Sequence, residues 1–259
     1  MPGFLTFFLN PYDRKARLRP ALLCALPVFV SVVLMIPDFG TIWATVGGLI
    51  LYCGGTTFLT QIGRDRGKAL EPMLFQLWDG KPSVAMLRHR DTRLPRLTKK
   101  RYHAFLNRAV PGLKLASLKD EQKSPEKADD GYESATSWLL ANTRDRERFD
   151  LIFRENINYG FRRNIWALKP WAFVVDGLAI SLVAVIVYNS WTGEMATTIQ
   201  TIGMQVWMSV ALIIVHILAF AFKIRRKWIQ LTAESYAQQL LAACDTLQVG
   251  PKTADINPQ

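Results

Sequence analysis

The sequence predicts an all-α membrane protein. Four apolar runs of spanning length, Lys and Arg gathered at one set of their ends, and helical periodicity in the polar stretches between them carry that prediction. The expected layout is four-span transmembrane, with a helical cytoplasmic domain inserted between spans 2 and 3 and a C-terminal cytoplasmic helix.

A helix crossing roughly 30 Å of hydrocarbon needs about 20 apolar residues, because every backbone polar group must be bonded within the segment. Residues 1–19 precede the first such run: MPGFLTFFLN is apolar and aromatic and suits a segment lying in the interface, with a loose tail as the alternative. Span 1, residues 20–36, reads PALLCALPVFVSVVLMI; it is long for a signal-peptide core, and a second apolar run follows almost at once. Span 2 covers 40–62 and makes a tight hairpin with span 1. A soluble domain is expected over 63–169. Span 3, 171–191, is bracketed by Trp171 and Trp191, and span 4, 202–222, follows a linker, TGEMATTIQT, with no Lys or Arg. Beyond it, 223–250 holds no Gly or Pro before Gly250, so the helix is expected to continue. There Ile229, Ala233, Tyr236, Leu240, Ala243 and Leu247 form a heptad-type stripe, suited either to the chain's own soluble helices or to a bundle of identical helices around an axis.

Orientation follows from the cations. Arg14, Lys15, Arg17 and Arg19 precede span 1; Arg64, Arg66 and Lys68 follow span 2; Arg162, Arg163 and Lys169 precede span 3; Lys223, Arg225, Arg226 and Lys227 follow span 4. All four sets put both termini of a multi-pass membrane protein in the cytoplasm. Within the net charge of +11, residues 64–108 carry 12 Lys or Arg against 4 Asp or Glu, whereas 119–155 carry 7 against 10. The soluble domain therefore has a basic half and an acidic half.

The basic half supplies one set of candidate residues: Arg88, His89, Arg90, Arg93, Arg96, Lys99, Lys100 and Arg101. They stand too far from the span ends for orientation alone to explain them. Anionic headgroups of membrane lipid and the phosphates of a nucleotide or oligonucleotide both fit such a cluster. The second set is intramembrane. Asp176 in span 3 and His216 in span 4 lie at similar depth from the same face, and Gln205, Ser209 and His216 share one side of span 4. Thr41, Thr45 and Tyr52, with Gly48 and Gly55, share a side of span 2. Polar groups at such depth are costly and mark either contacts between helices or a water-filled path, and both readings stand.

Other classes find no support. Cys24, Cys53 and Cys244, and the histidines His89, His103 and His216, have no metal-binding spacing, so no metal or cofactor is expected. His89-Arg90-Asp91 echoes a kinase catalytic loop, but the other kinase elements, a phosphate loop and a nucleophile elbow are missing, so no catalytic residue is expected.

The segments LFQLWDGKPSVAMLRHRDTRL, RYHAFL and FRENINYGFRRNIWALKP are similar to the channel subunit of the Hailong system, and the whole arrangement resembles bacterial antiphage membrane effectors. The resemblance implies a homo-oligomeric channel, tetrameric in that family. It further implies an anionic oligonucleotide, made by a partner nucleotidyltransferase, that holds the channel shut from a basic cytoplasmic basin.

Overall fold

Apolar runs close their backbone bonds as helices, and in the computed structural model the polar stretches between them do the same. The structure describes residues 10–35, 42–191, 193, 195, 198 and 202–247, the side chains of 42–47 and 49–51 excepted. In chain order the helices are α1 (Asp13–Met35), α2 (Ile42–Ala69), α3 (Glu71–Leu77), α4 (Pro82–Ala85), α5 (Arg96–Ala109), α6 (Leu118–Lys123), α7 (Pro125–Asn142), α8 (Asp150–Ala167), α9 (Lys169–Asn189), α10 (Met204–Lys223) and α11 (Arg226–Ala242). No strand occurs among the described residues. Among the described residues three helices, α1, α9 and α10, are long and apolar enough to cross a membrane.

The first of these begins well before the expected residue 20. A π-helical turn, Asp13–Leu18, runs straight into the apolar part, and an Arg17–Asp13 ion pair four residues apart supports it. The segment 1–9 lies outside the described residues. α2 outruns the expected end at 62 and stays helical to Ala69, because Gly63 and Gly67 are buried against the side chains of Leu168 and Asn164.

The chain divides into two units, Met1–Glu71 with Ile157–Ile229 and Pro72–Asn156 with Gln230–Gln259; α8 and α11 give residues to each. In the first unit, α1, α2, α9 and α10 pack through small side chains: Ala16, Ala21, Cys24, Ala172 and Ala179 are fully buried. Outward, Val174, Leu178, Val185, Met208, Val215 and Phe222 are all exposed, the inside-out pattern of helices solvated by lipid.

Two prolines in α1 leave backbone acceptors that α-helical geometry would have filled. Pro20 has no N–H for the carbonyl of Ala16, and Pro27 none for that of Leu23. Each carbonyl is met by a side chain from another helix: Asn164 Nδ2 donates to Ala16 O at 2.8 Å, and His216 Nε2 to Leu23 O at 3.0 Å. A spanning helix tolerates proline where a neighbour supplies the missing donor.

α10 does not continue into α11 as the lack of Gly and Pro suggested. It closes in a π turn, Ala219–Lys223, and the backbone leaves helical geometry at Ile224 before α11 starts at Arg226. The physical reason is a cap no local sequence pattern shows: Lys169 Nζ donates to the carbonyls of Ala221 at 3.1 Å and Ile224 at 3.4 Å, satisfying groups that otherwise favour another turn.

The second unit is built around Tyr132, Leu106, Leu139, Met86, Leu87, Leu240 and Leu241, all fully buried. A capping box at Ser117 and Asp120 starts α6, and Pro125 starts α7. On α11 and the turn after it, Leu240 and Ala243 enter this core, with Tyr236 and Leu247 packed against it. The heptad-type stripe therefore serves the chain's own helices here.

Candidate functional site

The intramembrane candidates converge on one contact. Asp176 Oδ1 lies 2.8 Å from His216 Nδ1 between α9 and α10, with both side chains buried. Since the Leu23 carbonyl can only accept, Nε2 carries a hydrogen, and a second hydrogen must lie between Nδ1 and the carboxyl oxygen. The pair therefore holds one proton more than a neutral imidazole with a free carboxylate, and its net charge is zero. Loss of that proton would leave a bare negative charge in an apolar bundle. The arrangement ties α1, α9 and α10 together through one imidazole.

The rest of the intramembrane set scatters. Ser209 is fully buried on the same side of α10, and its hydroxyl has no partner among the described residues. Gln205 is exposed at the opposite end of α10. Tyr52 is half-buried, its ring 4.1 Å from that of Phe29. Thr41 and the side chain of Thr45 lie outside the described residues. The polar side of α10 thus points into its own bundle at Ser209 and His216.

In the second unit the basic candidates split into two groups. Arg88, Arg93 and Lys99 are turned inward. Arg88 Nε and Nη2 donate to the two carboxylate oxygens of Asp129 at 2.8 and 2.6 Å, while Nη1 reaches Asp79, donating to its backbone carbonyl and, at 2.9 Å, to its carboxylate. Asp79 and Gly80 form a left-handed turn, with φ of 58° and 111°, which this guanidinium clasps. Arg93 bridges Asp91 and Glu234 at 2.6 and 3.0 Å. Lys99, buried, donates to the carbonyls of Arg88 and Asp91, and desolvation holds its ammonium below the ordinary lysine range.

The outward group is Arg90, Arg96, Lys100 and Arg101, all exposed. Arg90 pairs with Asp79 at 2.8 Å and Arg101 with Asp245 at 2.7 Å, whereas Arg96 and Lys100, one turn apart on α5, make no ion pair among the described residues. Leu97 beside them is exposed, whereas Tyr102 and Phe105 lie on the buried side of α5. The positions of Lys99 and His103 take that side because backbone carbonyls receive both.

His89, half-buried, and His103, buried, form a small cluster with ring centres 5.0 Å apart. His89 Nε2 sits 2.9 Å from Ala116 O, its backbone N–H donates to Glu121 at 2.8 Å, and Tyr132 Oη donates to the same carboxylate at 2.6 Å. His103 Nε2 is 2.8 Å from Leu87 O, and burial pushes its pKa below the ordinary histidine value. His103 faces His89, Lys99, Glu121 and Tyr132. As pH falls through about 6.5 the unfolded chain takes up a proton that the folded His103 refuses, so stability rises with pH in this window and is lost on acidification. The pKa values of Asp91 and Glu121 are depressed, which extends the loss to more acid pH. Thermal unfolding of the detergent-solubilised chain at pH 7.5 and 5.5 should show a lower Tm at the acid end, and His103→Gln should flatten that difference.

Three positions not expected from sequence hold the first unit together: Asn164, the Leu23 carbonyl and Lys169 as a cap. A signal for the first two was present, since a proline inside a spanning helix announces an open carbonyl four residues earlier. No group of three or more His, Cys, Asp or Glu able to hold a metal occurs among the described residues. No family model, curated protein or solved structure matches the chain.

Proposed function

We propose that the chain is one subunit of an oligomeric membrane channel, with four spans per subunit and both ends on the cytoplasmic side. In this reading the soluble unit takes an anionic nucleotide or single-stranded DNA on the exposed cations of α5. The observation that carries it is the open face of α2, where Gly54, Thr57 and Gln61 are exposed in succession within the expected second span. A Cβ on Gly54 would meet nothing within 4 Å, and the side chain of Gln61 makes no hydrogen bond among the described residues. Hydrocarbon is a poor neighbour for such a face, which is better covered by a second copy or by water. The resemblance to antiphage effectors supplies the setting: a bacterial inner-membrane effector held shut by a ligand from a partner nucleotidyltransferase.

On the ligand side, Arg96 and Lys100 are the cations with nothing to give up on binding a phosphate. Liposomes or planar bilayers containing the full chain should pass current that a short single-stranded DNA alters. The Arg96→Glu/Lys100→Glu pair should bind that DNA at least about tenfold more weakly, with a shallower salt dependence. The inward turn of Arg88, Arg93 and Lys99 favours a second reading, an anchored protein that docks on a partner without conducting. Absence of current in every ligand state would decide for it.

A further inference from the structure

We infer that the cavity at the basic end of α9 is a headgroup site for an anionic phospholipid. The cavity, about 390 Å³, lies within the first unit. Its walls are Ala69, Leu70, Trp166, Ala167 and Pro170, and its polar lining is Arg66 and Lys169. No carboxylate lines it; of the two acids next to its lining in sequence, Asp65 lies 4.0 Å from Arg64, and Glu71 is held by Arg163 and by Tyr159 at 3.0 Å.

Both cations keep their charge uncompensated. Lys169 spends two of its three N–H bonds on the neutral carbonyls of Ala221 and Ile224, leaving one donor and a full positive charge. Arg66 makes no ion pair among the described residues, and its guanidinium stands 5.9 Å from the centre of the Trp171 ring. Two cations lining one cavity with no acid in its walls make an arrangement that a phosphate relieves.

Position selects the source of that phosphate. Lys169 is the first residue of a helix apolar enough to span, so the cavity stands where hydrocarbon gives way to headgroups. Deeper along α2, Phe58 meets Trp171 edge-to-face at 6.3 Å and is itself exposed, apolar surface for an acyl chain. Mostly apolar walls with two cations at the headgroup level fit the phosphate of a glycerophospholipid better than a freely soluble anion.

The inference rests on membrane insertion and not on conduction. Release of the protein from membranes by alkaline carbonate would refute insertion separately. The test is native mass spectrometry of the full chain in detergent, offered phosphatidylglycerol and phosphatidylcholine at equal concentration. Phosphatidylglycerol should be retained at least about fivefold more, since a juxtamembrane cation favours anionic lipid by about that factor. Arg66→Gln, which breaks no internal hydrogen bond, should reduce the preference, and Arg66→Gln/Lys169→Gln should abolish it. Ala69→Trp, which fills the cavity while keeping both charges, should also lose the retained lipid. Equal retention of the two lipids, or wild-type retention by Ala69→Trp, overturns the site. Displacement of the lipid by millimolar inorganic phosphate overturns its assignment to a lipid.

Discussion

Arg88→Ala is expected to destabilise the soluble unit by about 2–4 kcal/mol, the largest single loss in that unit, because it breaks a nearly buried bidentate ion pair and opens a left-handed turn together. The Arg88 side chain is only 9% exposed, and its neighbours Met86 and Leu87 are fully buried. Removal leaves Asp129, 35% exposed, with water in place of a bidentate partner, and frees the Asp79 carbonyl that the guanidinium holds. The Asp79 carboxylate contributes little, being 74% exposed and screened by water. Arg88→Lys keeps the charge but cannot span both oxygens of Asp129, and should recover less than half of the loss. Arg96→Ala and Lys100→Ala, by contrast, should each change stability by no more than about 0.5 kcal/mol. Chemical unfolding followed by circular dichroism reads the contrast, and equal behaviour of Arg88→Ala and Arg96→Ala would refute the clasp. A loss of ligand binding in an Arg88 variant therefore has to be read first as a loss of fold.

The second large effect belongs to the intramembrane pair. Asp176→Ala should lower the stability of the detergent-solubilised protein by about 2–4 kcal/mol, because His216 Nδ1 loses its carboxylate partner and a buried space opens. Asp176→Asn should stay within about 1 kcal/mol, since its amide can donate to Nδ1 while Nε2–H keeps the Leu23 carbonyl. His216→Ala should be the most severe, because it strands Asp176 and the Leu23 carbonyl at once. Combining His216→Ala with Asp176→Ala should then do less harm than the separate losses predict, with at least about 1 kcal/mol of coupling in a double-mutant cycle. Additive behaviour would mean that the two side chains do not act as a unit.

What the sequence made legible was what depends on short range. Apolar length marks α1, α9 and α10 directly, and depth along antiparallel runs puts Asp176 and His216 within reach of one another. The basic block shows the limit of local counting. Its charges read as one cluster from Arg88 to Arg101, yet Arg88 answers to Asp129, 41 residues on, and Arg93 to Glu234, 141 residues on. No tally of neighbouring charge can separate a cation that clasps a turn from one left to solvent. The end of α10 escaped for a similar reason, since its stop signal is a lysine 52 residues earlier in the chain. The division of 63–169 from the spans was read from composition alone, whereas the fold assigns the end of α8 and the start of α11 to the same unit as the spans.

The prolines of α1 set a schedule for the making of the protein. Asn164 and His216 are 148 and 193 residues further along the chain than the carbonyls they satisfy. A nascent α1 leaves the ribosome long before either donor exists. It must wait at the insertion machinery, or enter lipid with open carbonyls, until α8 and α10 have been synthesised. Chains cut short before Asn164 would carry that defect permanently, so the stability of α1 depends on completion of the chain well beyond it.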